Sequence, residues 1–189
     1  ASFSLLNPGG GTYFDNTLGG TSDAFILKFD NAGTRLWATY YGGAEDDQGM
    51  SLATDASGNL FVAGYTTSTA FPTLTAGTYF DNTLGGTSDA FILKFDNAGT
   101  RLWATYYGGG ADDRGEGIAT DGSNVFITGT TFSANFPVTA GVFQTALGGT
   151  TDAFVVKLDG AGARQWSTYL GGSVGGSASA NEEGVGIAA

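Results

Sequence analysis

The chain has no cysteine and no histidine among its 189 residues. Disulfides, thiolate nucleophiles, imidazole metal ligands and histidine-based acid–base catalysis are therefore all excluded. Positive charge is scarce: 7 Lys+Arg stand against 18 Asp+Glu, a formal net charge of −11. A surface of that sign repels nucleic-acid phosphates and anionic lipid headgroups, so neither is an expected partner. No stretch approaches the roughly 18 consecutive apolar residues that mark a membrane-spanning helix, so no membrane insertion is expected. No segment repeats its apolar residues at the helical period, and helix content should be near zero. The opening residues, Ala1-Ser2-Phe3-Ser4-Leu5-Leu6, carry neither the basic region nor the long apolar core of a signal peptide. A mature chain already stripped of its signal reads the same way.

What is present is glycine, aromatic mass and repetition. Apolar residues make up 41%, with 14 Phe, 8 Tyr and 3 Trp, enough for a substantial core. The 33 glycines recur at fixed positions and punctuate turns rather than forming a linker. The segment from Gly11 to Gly43 returns unchanged from Gly77 to Gly109, and a diverged copy runs from Gly141 to Gly172. A repeat of this length marks a supersecondary unit that must stack on its neighbours to bury its faces. The chain divides accordingly into residues 1–10, the tail of a preceding connection or a donated strand, and repeats at 11–76, 77–140 and 141–189, the last truncated.

Each repeat contains four strand candidates. In the first copy these are Ala24 to Asp30, Arg35 to Tyr41, Gly49 to Thr54 and Leu60 to Tyr65. The first two alternate apolar residues on both faces and are joined by Asn31-Ala32-Gly33, so they form a hairpin buried between layers. The third is rich in small side chains, and Asp55-Ala56-Ser57-Gly58-Asn59 turns it into the fourth. Four antiparallel strands per repeat, apolar on both faces, predict an all-β fold of β-propeller blades. The small-residue strand belongs innermost, where the taper leaves least room, and the Trp-bearing strand at the rim. A β-solenoid fits less well, because its shorter coils do not carry two hairpin turns per period.

The elements Asp-Ala-Phe, Lys-x-Asp, Trp-x-Thr-Tyr, Gly-Gly, acidic loop, Gly-x-x-(Ile/Leu)-Ala and Phe-Pro recur in order over nearly all of residues 11–189. Strings such as DAFILKFDNAGTRLWATYYGG and DDRGEGIATDGSNVFITGTT resemble the SBBP-type β-propeller repeat of bacterial secreted and surface proteins. The resemblance implies seven-bladed propellers, often embedded in long multidomain surface proteins. It implies no established activity and no known functional residues.

Eleven strands are expected here: a hairpin, two sets of four, and one at Gly184–Ala189. That is fewer than three blades, whereas closed propellers usually have about four to eight. An unfinished ring exposes apolar blade faces. Copies of the chain, or further blades of a parent chain, are the expected partners. In the first case Ser2 to Leu6 would add beside Gly184 to Ala189 of a neighbour by strand addition, closing a ring or propagating a filament.

The candidate site is the acidic loop before the innermost strand. Asp46 and Asp47, their counterparts Asp112 and Asp113, and then Glu182 and Glu183 recur at one end of the stack. Clustered carboxylates of this kind are candidate Ca2+ ligands. The competing reading is a solvated acidic rim with turn-forming carboxylates, and no cofactor is required by it. Asp23, Asp89 and Asp152 precede the first strand of every copy, and a triplicated residue points to structure, since catalysis needs one site. Lys28, Lys94 and Lys157 read as ion-pairing or snorkelling residues. Trp37, Trp103 and Trp166 would stack sugars if exposed, or pack between blades if not. Asp55 and Asp121 sit in hairpin turns that lack the further ligands of a Ca2+ loop. No catalytic residue is nominated. The expected role is a non-enzymatic, extracellular or cell-surface structural or adhesive module. The alternative is a propeller that binds glycans or a surface protein through loops at one end.

Overall fold

A computed structural model describes residues 5–7, 9, 13–77, 79–172 and 181–189. Its strands are β1 (Ala24–Phe29), β2 (Arg35–Tyr41), β3 (Asp47–Thr54), β4 (Leu60–Thr66), β5 (Asp89–Phe95), β6 (Arg101–Tyr107), β7 (Asp113–Thr120), β8 (Asn124–Thr131), β9 (Asp152–Asp159) and β10 (Arg164–Leu170). All pairings between these strands are antiparallel, and the described residues contain no helix. The strands form two four-stranded sheets, in the orders β3-β4-β5-β6 and β7-β8-β9-β10, and the separate hairpin β1-β2.

The hairpin turns follow from local chemistry. Asp30 accepts hydrogen bonds on Oδ1 from the Ala32 and Thr34 amides at 2.9 and 2.8 Å. Gly33 closes the turn at φ 79°, a conformation that disfavours a residue with Cβ. The same chemistry recurs at Asp96 with Gly99 and at Asp159 with Gly162. β3 begins two residues earlier than its apolar pattern suggests, because Asp47 already pairs with Thr66. A bulge between Gly49 and Ser51 follows, matched by one between Gly115 and Gly117 in β7.

The sheets do not respect the repeat boundaries. β3 and β4 precede Gly77 and β5 and β6 follow it, so one sheet takes half its strands from each copy. This sheet carries apolar side chains on both faces. Val62, Phe91, Leu93 and Phe95 pack with Ile26, Trp37 and Tyr41 of the hairpin. Phe61, Ile92 and Trp103 pack with Ile118, Ile127, Val156 and Leu158 of the following sheet. β5 is buried throughout, and a Phe fully removed from water contributes about 1.5–3 kcal/mol by burial.

The expectation of an eleventh strand is corrected. Gly184–Ala189 forms no strand. It still lies where one belongs: a Cβ on Gly184 would stand 3.1 Å from the Gly129 carbonyl oxygen, as one on Gly115 would from that of Gly64. β3 and β7 are each held by pairing with the strand that follows, β4 and β8. Leu6 pairs with Ala38 on the edge of β2 away from β1, through backbone hydrogen bonds of 3.2 and 2.9 Å. Leu74 bridges Ala104 on β6 in the same way. Ser2, Phe3 and Ser4 lie outside the described residues.

Candidate functional site

The acidic positions divide by depth. Asp47 and Asp113 are buried at the first residue of β3 and β7. Asp47 Oδ2 accepts from the Gly43 amide at 2.6 Å and from the Ser68 hydroxyl at 2.9 Å. Asp113 Oδ2 does the same with Gly109 and Ser133, at 2.7 and 2.8 Å. Each serine in turn accepts an amide of the acidic loop, from Glu45 or Ala111, at 2.9 Å. The carboxylates thus bind the loop that leaves one sheet to the first strand of the next.

A second carboxylate stands beside each. Asp23, Asp89 and Asp152 accept pairs of glycine amides, from Gly19 and Gly20, Gly85 and Gly86, and Gly148 and Gly149. Asp89 and Asp113 approach one another across Gly108. A Cβ there would lie 2.6 Å from the Asp89 carboxyl carbon and 2.8 Å from Asp113 Oδ2. Burial, with the neighbouring Asp113 charge, pushes Asp89 up to about 6. Burial also raises Asp47 and Asp113, against the lowering effect of their hydrogen bonds.

Asp46 is held by the Thr21 hydroxyl and by that of Ser22 at 3.2 Å. Asp112 and Glu183 line a polar groove of about 220 Å³ with Arg114, Glu116 and Asn181. Glu182 stands in the position of Asp113, with its Oε1 nearest to the Cβ position of Gly172. Among the described residues, no three acidic side chains converge on a site that could hold a metal ion. Of the candidate Ca2+ residues, Asp112 and Glu183 share the polar groove, while Asp46 is held by Thr21 and Ser22 at another step of the stack.

The other repeated side chains join neighbouring sheets. Lys28 donates to the Asn97 carbonyl and Lys94 to that of Gly160, each at 2.8 Å, tying one sheet to the hairpin turn of the next. Arg101 donates to the Pro72 carbonyl at 2.7 Å and lies over the Tyr13 ring. Arg164 repeats this with Pro137 at 2.8 Å and the Tyr79 ring. Trp37 and Trp103 are buried, which removes them as sugar-stacking platforms, while Trp166 is half-buried. The Phe-Pro connections and the Arg beginning each outer strand were visible as recurring letters. Their partners lie one sheet away, beyond what the spacing reveals.

An apolar cleft lies between the β1-β2 hairpin and β3. It measures about 490 Å³ and is lined by Phe25, Leu27, Phe29, Met50, Leu52 and Val62, among others.

Successive antiparallel sheets, stacked face to face and joined by the same side chains at each step, define a propeller-type repeat protein. Residues 36–72 match the SBBP family, described as a beta-propeller repeat, so the chain carries a repeat of that family. The chain is also similar to the regulatory protein FlaEY of Caulobacter vibrioides, 29% identical over 122 residues covering 65% of this chain. It is 30% identical over 183 residues, covering 80% of the chain, to the uncharacterized WD repeat-containing protein L264 of Acanthamoeba polyphaga mimivirus. The match spans 13% of the length of each of these relatives.

Proposed function

We propose that the chain is a non-enzymatic structural module of an extracellular or bacterial cell-surface β-propeller protein, in which each four-stranded sheet is one blade. The observation that carries this reading is the use made of the repeated polar residues. Asp47, Asp113, Lys28, Lys94, Arg101 and Arg164 are all engaged in loop or inter-sheet contacts. Chemistry repeated at every sheet junction supports a scaffold, because a catalytic site is needed once.

The apolar cleft beside β1 supports association with further blades, from copies of the chain or from a parent chain. Native mass spectrometry and negative-stain electron microscopy of the purified chain test this. Oligomers or polymers are the expected result, and a stable monomer at micromolar concentration overturns the self-assembling form. A second reading, recognition of a glycan or a surface protein, is favoured by the groove of Asp112, Arg114, Glu116 and Glu183. A glycan-array signal abolished by Arg114→Ala would establish it in place of the scaffold.

A further inference from the structure

Comparison of the first two copies separates what the fold requires from what one copy alone carries. Residues 11–43 and 77–109 are identical, so every charge in one recurs in the other. Beyond that segment, residues 110–140 place two charged side chains where 44–76 have uncharged ones. Arg114 stands at the position of Gln48 and Glu116 at that of Met50. Both line the polar groove described above. The ring in that groove, Phe132, is 44% exposed and stands where the first copy has Thr67. The backbone fixes this equivalence: the Thr67 and Phe132 amides donate to the Asp46 and Asp112 carbonyls, each at 2.9 Å. Charge found at one step only is not needed to join sheets.

The fold does not use up the groups in this groove. The Arg114 guanidinium lies over the Tyr65 ring, 4.8 Å from its centroid, and makes no hydrogen bond or ion pair among the described residues. Stacking holds the guanidinium plane and leaves the N–H donors at its edge unspent. The side-chain carboxylates of Asp112 and Glu183 likewise accept no hydrogen bond from the described residues. Glu116 accepts from the Thr130 hydroxyl at 3.3 Å. Asn181 takes the Thr151 hydroxyl on Oδ1 at 3.2 Å and keeps its amide donors. Opposite charges therefore share one groove without pairing. A ligand that spans them must donate to one side and accept from the other.

We infer that this groove is a binding subsite for one uncharged sugar ring. A hydroxyl both donates and accepts. One hydroxyl of a vicinal pair can therefore donate to Asp112 or Glu183 while its neighbour accepts from Arg114, each bond strengthened by the protein charge. The C–H face of the ring packs on the exposed Phe132. At about 220 Å³ the groove is smaller than the roughly 300–1,000 Å³ that holds a drug-sized molecule, which suits a single ring. Three carboxylates against one guanidinium repel an acidic sugar, so the groove selects by charge as well as by size.

This inference rests on the second reading above, glycan recognition by this groove, and is tested with the full chain. The chain is applied to an array of terminal hexoses, N-acetylhexosamines and acidic sugars. The tightest binder is then titrated against Arg114→Gln, Glu116→Met and Phe132→Thr. These variants restore the side chains of the first copy, which the same strands accept, so Tm should stay near that of the parent. Uncharged terminal sugars should bind, acidic ones should not, and each substitution should weaken binding by about tenfold or more. Acidic sugars bound as tightly as uncharged ones overturn the inference while glycan recognition stands. Full affinity in any of the three variants overturns it as well. No signal from any sugar class removes both the inference and the glycan reading, and leaves the scaffold.

Discussion

Tyr106 donates its hydroxyl hydrogen to the Ser68 carbonyl at 2.6 Å and accepts the Phe71 amide at 2.9 Å. One phenol thus satisfies two buried backbone groups in the connection that wraps the outside of the sheet. Tyr169 does the same for Ser133 and Phe136, at 2.7 and 3.0 Å. Burial pushes Tyr106 up to about 12, so it remains a neutral donor across the ordinary pH range. Tyr106→Phe leaves both backbone groups unpaired and should destabilise the chain by about 1–3 kcal/mol. Urea denaturation checks this, and a midpoint equal to that of the parent chain would contradict it.

The duplicated phenylalanines offer a comparison in one molecule. Phe91→Ala removes a ring packed between two layers and should cost about 3–5 kcal/mol. Phe25→Ala removes the same ring from an open face and should cost well under about 1 kcal/mol. Equal midpoint shifts in denaturation would refute the burial difference between β1 and β5.

The raised carboxyls make the fold more stable in mild acid. With Asp89 at about 6 in the folded chain and near 4 when unfolded, the folded state binds more protons between those values. Stability from this group therefore increases as pH falls through about 6 and is complete below the unfolded value. Asp47 and Asp113 act in the same direction. Asp55 and Asp121, lowered overall by their turn hydrogen bonds, oppose it at more acidic pH. Tm should rise by a few °C, as an order of magnitude, between pH 7.5 and pH 5. Asp89→Asn should flatten that rise, and an unaltered pH profile in this variant would count against the assignment.

Calcium should have no effect on stability. Asp47 and Asp113 are committed to glycine amides and serine hydroxyls, and no third carboxylate joins either among the described residues. Thermal melts in EDTA and in millimolar CaCl2 should coincide within about 1 °C, since ligand binding to the native state alone would raise Tm. A calcium-dependent rise would restore the acidic loops as a metal site.

The sequence disclosed those features that depend on neighbouring residues. Alternating apolar residues in Ala24–Phe29 and the Asn-Ala-Gly turn define a hairpin without reference to the rest of the chain. Asp47 shows the limit. Its place after two other acidic residues looks like an exposed loop, yet it starts a strand and is buried, because its partners are Gly43 and Ser68. Leu6 was similarly unreadable, since its pairing to Ala38 depends on where the connection folds back. Lys28 reads as a solvent-seeking or ion-paired cation until the Asn97 carbonyl of the neighbouring turn is placed beside it. The unequal exposure of Phe25 and Phe91 lies beyond any local reading, for the surrounding letters are identical.

The offset between sheets and repeats has a consequence for inheritance. Each four-stranded sheet joins the last two strands of one copy to the first two of the next. A recombination that splices Leu36 to the residue after Leu102, or any other matched pair in the duplicated segment, removes a whole period. It also brings together strands whose edges already fit. A unit can therefore be added or removed at any matched point within the duplicated residues, not at special boundaries alone. Array length can drift while every junction remains one that folds.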